Sequence, residues 1–219
     1  MDLARYHFLE LQIASNPVDT RRVMPPVHAG YRRILDVGCG AGQTLVASSL
    51  GAQVTALGID IDERALHLGR SIDPRIRYVQ ARGESLPLAS GHFDLVISRV
   101  ALPYMNQRAA LAEMARVLEP GGTLWLALHP ASQVIHQLRE CVRQRDWRSA
   151  LRRLYALANG AVFHLTGCEM PAPGKGRTRY ESFQTPERMR RNLESLGFED
   201  IRVERRGFFV VTATRKAAR

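Results

Sequence analysis

Three glycines at alternate positions follow a short apolar run and could hold a ligand. The run at residues 32–37 contains Asp36, and Gly38, Gly40 and Gly42 come directly after it. Glycine allows positive φ and leaves no Cβ between the main chain and a bound molecule. The stretch after Gly42 predicts a helix, whose free N–H groups would face the same molecule. The pattern therefore predicts a binding loop at the end of a strand.

A second acid indicates what kind of molecule that loop binds. Residues 54–59 form another apolar run, and Asp60 follows it, 18 residues after Gly42. A carboxylate at this place can accept hydrogen bonds from both hydroxyls of a ribose. The dinucleotide fingerprint needs its third glycine at position 43, where this chain has Gln43. The spacing therefore predicts a nucleoside site and argues against a dinucleotide such as NAD.

With these residues in place, the chain resembles the class I S-adenosylmethionine-dependent methyltransferases. The resemblance continues through Leu86-Pro87, the strand pattern at residues 93–98 and the Glu119-Pro120-Gly121-Gly122 stretch. It covers residues 32–130 in detail and implies S-adenosylmethionine as cofactor. These motifs are specific to the family and to no substrate within it. We predict a cofactor site made of Tyr6, Asp36, Gly38, Cys39, Gly40, Gly42, Asp60, Ile61, Gly83, Glu84 and Arg99, and packing in the tight turn is the alternative role of Cys39.

One position departs from the family pattern. The acid that usually accepts from the adenine amino group is replaced by Arg82, and a guanidinium has no lone pair to offer. We therefore expect Arg82 to point into solvent, while Gly83 and Glu84 face the ring. The alternative for Glu84 is a solvated loop acid. Arg99 could pair with the methionine carboxylate through its fork of donors, and a surface arginine is the alternative.

The chemistry that the resemblance implies asks little of the protein. A sulfonium is an activated methyl donor, so the acceptor must be held close and aligned with water excluded. A hydroxyl or amine acceptor also needs a base. His129, directly after the fifth predicted strand, is our candidate for the catalytic base. Tyr104, Tyr6 and His7 are alternatives, and each of the four could instead be structural.

Apolar strands that alternate with helices predict an α/β fold with a doubly wound, mostly parallel sheet. The resemblance implies seven strands, with an N-terminal helix, a helical lid inserted after strand 5 and an antiparallel closing hairpin. We divide a single domain, 1–219, into a cap at 1–30, a cofactor-binding core at 31–130, a lid insertion at 131–184 and a closing segment at 185–219. Thr185-Pro186-Glu187 predicts a helix start, residues 119–122 a turn, and residues 171–179 a flexible loop.

Helical spacing in the insertion predicts one inward apolar stripe on each of two helices. The stripes would consist of Leu138, Val142, Leu151, Leu154, Tyr155 and Leu157. The arginines would lie outward, namely Arg139, Arg143, Arg145, Arg148, Arg152 and Arg153. Four aromatic residues of this region, Trp147, Tyr155, Phe163 and Tyr180, would line the pocket or pack the lid.

The formal net charge of +10 is unevenly distributed. Residues 1–130 have 13 arginines and 12 acids, whereas residues 131–219 have 18 lysines and arginines and nine acids. The basic half could attract an acidic substrate, nucleic acid or a membrane surface, or simply solvate helix faces. The Asn/Asp-Pro-Pro-aromatic run of nucleic-acid amino methylation is absent, as is a Pro-Cys nucleophile, which argues against a nucleic-acid substrate.

The remaining features favour a cytoplasmic enzyme acting on a small-molecule acceptor. No signal peptide or apolar run of membrane-spanning length is evident. Cys39, Cys141 and Cys168 are widely spaced, so we expect neither a disulfide framework nor a metal site. The alternatives are a methyltransferase of nucleic acid or protein that uses the basic half, or a cofactor-binding partner protein without catalysis, for which Arg82 is the only indication.

Overall fold

The computed structural model describes residues 3–171, 180–206 and 208–217. Helices and strands alternate through most of this length. The helices are α1 (Leu3–Ser15), α2 (Gln43–Ala47), α3 (Glu63–Ile72), α4 (Gln107–Val117), α5 (Ala131–Arg143), α6 (Trp147–Thr166) and α7 (Pro186–Ser195). The strands are β1 (Arg33–Val37), β2 (Thr55–Asp60), β3 (Arg77–Gln80), β4 (Phe93–Arg99), β5 (Leu118–Leu128), β6 (Phe198–Arg206) and β7 (Phe208–Arg215).

The seven strands form one sheet in the order β3-β2-β1-β4-β5-β7-β6. The pairs from β3 to β5 are parallel, and β7 lies antiparallel between β5 and β6. This arrangement confirms the predicted mostly parallel sheet with an antiparallel closing hairpin. The strand order reverses at β1, which pairs with both β2 and β4, and ligands of open α/β sheets bind beyond the carboxyl ends of the strands at such a point.

Helix ends follow the local chemistry of the sequence. The side chain of Thr185 accepts a hydrogen bond from the backbone N–H of Arg188 at 3.3 Å, and Pro186 occupies the first turn of α7. The helix start predicted at Thr185 is thereby confirmed. Within the insertion, Gly167 ends α6 in the left-handed conformation with φ of 77°.

The predicted turn at residues 119–122 is wrong, because these residues are part of β5. The strand begins at Leu118, which pairs with Phe93, and the ladder resumes where Thr123 pairs with Leu95. Gly121, with φ of 82°, lies in the irregular stretch between the two pairings. The Pro and Gly residues therefore mark a bulge inside a strand. Residues 172–179 of the loop predicted at 171–179 lie outside the described residues, and so does Gly207 between β6 and β7.

The inward stripes predicted for the insertion are wrong at several positions. Leu151 is 66% exposed and Leu154 is 50% exposed, and Val142 is also exposed. Arg153, expected outward, is half-buried and forms a salt bridge with Glu181. The face of α6 that packs on the core consists instead of Ala150, Ala156, Asn159, Gly160 and Phe163.

Small side chains explain why α6 packs by that face. A Cβ on Gly160 would lie 2.2 Å from the ring of Phe183, so the glycine permits an approach that no larger residue allows. Close approach then buries the large ring of Phe163 completely, in the same cluster as Met189 and Leu193 of α7. The large apolar residues of α6 at Leu151 and Leu154 consequently lie on the outer side. Among the described residues, no helix is long and apolar enough to cross a membrane.

We expect two glycine substitutions to separate backbone strain from steric exclusion. Gly91 has φ of 63° with no atom within 4 Å of the point where a Cβ would lie, so Gly91→Ala should cost only the left-handed backbone energy, about 1–2 kcal/mol. Gly38 has φ of 77°, and its Cβ would lie 2.2 Å from Cβ of Ala101. Gly38→Ala should therefore cost about 1–3 kcal/mol more, as overpacking does. Urea unfolding of both variants measures this, and equal losses would contradict the close approach.

Candidate functional site

Two adjoining cavities, of about 790 and 480 Å³, open at the carboxyl ends of the parallel strands. Gly38, Asp60, Ala101 and Tyr104 line both of them. The larger cavity is also lined by Ile61, Arg82, Gly83, Glu84, Met105, Leu151, Arg152, Tyr155, Tyr180 and Glu181. The smaller is also lined by Tyr6, His7, Glu10, Cys39, Gly40, Thr44, Arg99, His129 and Gln133. The two cavities therefore bring together every residue predicted for the site except Asp36 and Gly42.

The glycine loop after β1 is shaped by its neighbours. The N–H groups of Gly38 and Cys39 both donate to the carbonyl of Ile59, at 2.7 and 3.0 Å. A Cβ on Gly40 would lie 3.0 Å from the imidazole of His7, so α1 closes directly over the loop. Gly42 does not line either cavity, since a Cβ there would lie 2.2 Å from the hydroxyl of Tyr78. Its role in this structure is to make room for that tyrosine.

Asp60 is held at the rim of both cavities by backbone donors. Its Oδ2 accepts from the N–H of Gly40 at 2.8 Å and its Oδ1 from the N–H of Asp62 at 2.9 Å. Each carboxylate oxygen has a further lone pair, so the group can still accept two hydroxyl protons. Ile61, beside it, is 45% exposed and presents an apolar surface to the larger cavity.

Asp36 is buried beneath the loop without a hydrogen bond of ordinary geometry. Its side chain is 1% exposed, and neither oxygen has a partner among the described residues. Burial raises the pKa of Asp36 to about 7, a shift that Arg99 opposes, Asp60 reinforces and an interaction with the hydroxyl of Thr44 also opposes. An acid in this state favours a cationic neighbour, which would restore its ionised form. Arg99 itself is engaged with Thr44 Oγ1 at 3.0 Å and with Glu10 Oε2 at 3.2 Å.

The loop after β3 holds its acid in place. Glu84 Oε1 accepts from the backbone N–H of Asn106 at 3.0 Å and from Arg82 at 3.3 Å. Arg82 is exposed, as expected, although it also lines the edge of the larger cavity. Gly83 is buried, and a Cβ there would lie 2.6 Å from Sδ of Met105. Backbone rather than side chain thus forms the wall at Gly83.

His129 is hydrogen-bonded through one ring nitrogen. Its Nδ1 lies 2.6 Å from Oε1 of Gln133, an oxygen that can only accept, so Nδ1 donates, and in the neutral form of the imidazole Nε2 is then the basic nitrogen. Burial lowers the pKa of His129, and Arg153 lowers it further, whereas the hydrogen bond with Gln133 opposes the shift. Burial raises the pKa of Tyr104, and likewise that of Tyr6. Of these three side chains, only the imidazole can take up a proton at neutral pH.

The sequence analysis missed the residues that attach the insertion to the site. Asn159, fully buried in α6, donates to the carbonyls of Met170 at 3.0 Å and Glu181 at 3.2 Å, and accepts from the N–H of Met170 at 2.7 Å. It therefore fastens both ends of the segment after α6. An asparagine among apolar helix residues was the signal that could have indicated it. Arg153, which is also in α6, forms a salt bridge with Glu181.

A second missed attachment joins this segment to α4. The carboxylate of Glu169 accepts from the backbone N–H and the side-chain amide of Gln107, and from the hydroxyl of Ser182, each at 2.7 Å. Burial raises the pKa of Glu169. Of the four aromatic residues assigned to pocket or lid, Tyr155 and Tyr180 line the larger cavity. Phe163 is in the core and Trp147 is 61% exposed.

The comparisons with known proteins agree with this geometry. Residues 35–126 match the family model of a methyltransferase domain. An uncharacterized methyltransferase of Synechocystis sp. is 38% identical over 106 residues, which are 46% of this chain and 49% of that protein. Malonyl-[acyl-carrier protein] O-methyltransferase of Enterobacter lignolyticus is 36% identical over 118 residues, which are 53% of this chain and 46% of that protein. The chain thus spans about half the length of the curated relatives it matches.

The solved structures agree on the fold. A SAM-dependent methyltransferase of Methanosarcina mazei superposes with a TM-score of 0.57 and 21% identity, over 85% of this chain and 93% of that one. That likeness shows the fold, and the match of residues 35–126 makes this part of the chain similar to a methyltransferase domain. The residues present fit S-adenosylmethionine, because its ammonium group would favour the ionised form of the buried acid Asp36, and Gly38 and Gly40 line the adjoining cavities.

We expect the substitution Asp36→Asn to make the protein more stable and to weaken its binding of the cofactor. The folded-state pKa of about 7 exceeds the ordinary value of 3.8, so the wild type loses stability as the pH rises from about 4 to about 7. Asp36→Asn removes this loss and should stabilise the protein above about pH 7 by up to about 4 kcal/mol, with no gain near pH 4. The same variant should bind the cofactor at least about tenfold more weakly, because a charge-assisted hydrogen bond is lost.

Urea unfolding across this pH range, together with titration calorimetry, measures both effects. A stability difference between wild type and variant that is independent of pH would show that Asp36 is ionised in the folded protein and has a partner.

Proposed function

We propose that this protein transfers the methyl group of S-adenosylmethionine to a small-molecule acceptor that binds beneath α5 and α6. One observation supports this most directly. Leu151, Tyr155 and Glu181 of the insertion line the same cavity as Gly38 and Asp60 of the cofactor loops. A cavity that has one wall from the insertion and one wall from the cofactor loops is suited to hold an acceptor against a cofactor and to exclude water from both.

The cofactor would bind along the rim of the parallel strands. In this proposal Asp60 accepts from the ribose hydroxyls, Ile61 packs on the adenine, and the backbone of Gly83 contacts the ring edge. Asp36 and Arg99 would bind the amino-acid end, with Glu10 sharing Arg99 as it does in this structure. When bound, the sulfonium supplies a methyl group that a nucleophile can attack without further activation.

The acceptor side combines aromatic walls with one base. Tyr104 lies at the junction of the two cavities, and His129 lines the smaller one. Tyr155 and Tyr180 add aromatic surface to the larger cavity. We propose an acceptor with an apolar or aromatic body and a hydroxyl or amine that would give its proton to Nε2 of His129 as its oxygen or nitrogen bonds to the methyl carbon. The bond from that carbon to the sulfonium sulfur would break in the same step, and S-adenosylhomocysteine would leave as the neutral thioether. The lid role of residues 131–184 and the division into segments remain predictions.

Cofactor binding is the first test. Titration calorimetry should detect S-adenosylmethionine and S-adenosylhomocysteine and should not detect NAD, because of the spacing of the glycines. Asp60→Ala should weaken the binding of S-adenosylhomocysteine by about 1–3 kcal/mol, because hydrogen bonds to a charged acceptor are then not formed. Asp62→Ala is the matched control, since it removes only the cap of α3. Binding of NAD without S-adenosylhomocysteine would refute the proposal.

The role of His129 can be tested by methyl transfer. With tritiated methyl donor and a fractionated metabolite extract as acceptor source, His129→Asn should lower the rate constant about 10²–10⁴-fold while leaving S-adenosylhomocysteine affinity unchanged. The wild-type rate should fall only as the pH drops below 6.5, since burial lowers the pKa of this imidazole. His136→Gln, at an exposed histidine of α5, is the control. An unchanged pH profile in the His129 variant would exclude it as the base.

A further inference from the structure

Helix α6 has an exposed apolar stripe along its whole length. Residues 147, 151, 154, 158, 161 and 165 recur at helical spacing and occupy one side, opposite the face that packs on the core. They are Trp147, Leu151, Leu154, Ala158, Ala161 and Leu165, and all six are exposed. Trp147 is 61% exposed and Leu165 is 76% exposed. Together α5 and α6 contain six of the twelve exposed large apolar side chains among the described residues.

The charge around this stripe is strongly positive. Residues 131–166 contain six arginines and two acids. Both acids are engaged, since Glu140 pairs with Arg143 and Asp146 caps the start of α6. Arg139, Arg145, Arg148 and Arg152 are all exposed, and none forms a salt bridge within the part of the chain that the structure describes. The pair of helices α5 and α6 therefore presents exposed apolar side chains together with arginines that no described acidic residue neutralises in a salt bridge.

The cavity opens beside the same stripe. Leu151 belongs both to the stripe and to the wall of the larger cavity, and Arg152 and Tyr155 line that wall next to it. A surface bound to the outer side of α6 would therefore lie at the mouth of the space proposed for the acceptor.

We propose that α6 docks this protein on an anionic membrane surface, with Trp147, Leu151 and Leu154 inserted among the acyl chains at the interface. Tryptophan and leucine on one side and arginines at the flank are the composition of helices that lie in the membrane interface. Each flanking arginine is attracted by the negative surface potential of anionic lipid. An apolar acceptor could then enter the cavity from the bilayer, a consequence that rests on the proposed function.

Other occupants fit the charges less well. A second copy of this chain would bring the same arginine-rich flanks together. A nucleic acid would satisfy the arginines and leave the row of leucines and tryptophan in water. An acidic protein surface would have to be apolar at its centre, and its binding would be independent of lipid. These three alternatives are outcomes that the experiment distinguishes.

Vesicle co-sedimentation tests the proposal on the whole chain. The protein should bind vesicles of equal parts phosphatidylcholine and phosphatidylglycerol, and bind phosphatidylcholine alone far more weakly. Trp147→Ser combined with Leu154→Ser, two exposed positions outside both cavities, should reduce the affinity at least about tenfold. Arg145→Gln and Arg148→Gln should each reduce it about fivefold. The matched controls, Val18→Ser and Arg64→Gln, change exposed residues elsewhere and should have no effect.

Fluorescence separates insertion from adsorption of a basic protein. The chain has two tryptophans, and Trp125 is buried in the sheet at 2% exposure, so quenching by brominated acyl chains reports on Trp147. We expect quenching with the anionic vesicles. Binding without quenching, or equal binding by the Trp147→Ser/Leu154→Ser variant, would overturn the proposal. So would a dimer that this variant dissociates, or tighter binding to duplex RNA or DNA than to vesicles.

The same preparation is titrated with S-adenosylhomocysteine. Cofactor binding without vesicle binding would refute only the membrane inference, whereas vesicle binding without cofactor binding would refute only the proposed function.

Discussion

The structure depends on close packing at the carboxyl end of β1, where side chains of neighbouring segments fill the space that a Cβ on the glycines would need. A Cβ on Gly38 would collide with Ala101 after β4, and one on Gly83 would collide with Met105. The imidazole of His7 closes over Gly40 from α1. Because the segment after β4 and helix α1 both approach this loop at contact distance, its path is fixed by packing. The sheet and this packing together set the shape of the cleft in which we propose that a nucleoside binds.

That geometry places a destabilising group at its centre. Asp36 is in β1, which lies inside the sheet between β2 and β4, and burial raises its pKa to about 7. A folding domain gains little from a buried acid, since apolar residues fill such a position at lower cost. The proposed cofactor accounts for this acid, because its ammonium group would favour the ionised carboxylate. The glycine loop alone would also fit a tight turn, and the proposal of a site rests on Asp36 and Asp60 beside it.

Local chemistry made most of the core predictable from the sequence. Caps such as Thr185, strands that are buried on both faces and glycines with positive φ act through their immediate neighbours in the chain. The insertion was less predictable because its packing depends on residues that are distant in sequence. Gly160 allows the ring of Phe183 to approach, and Asn159 binds the main chain at Met170 and Glu181. The hydrophobic periodicity of α6 does not distinguish its two apolar faces. The prediction placed the large residues inward, whereas the small residues are the ones that pack against the core.

The outward position of those large residues has no explanation in folding alone. Alanine, lysine and glutamate favour a helix at least as well as tryptophan, so the stability of α6 does not require Trp147 or Leu165 on the solvent side. A surface helix ordinarily has polar residues opposite its buried face. Here the buried face has Ala150, Ala156 and Gly160 beside the ring of Phe163, and four large apolar side chains of α6 are exposed on the opposite side. The small residues let α6 pack closely, and the exposed stripe shares Leu151 with the wall of the larger cavity. In the two proposals, one helix therefore serves both the acceptor cavity and the membrane surface.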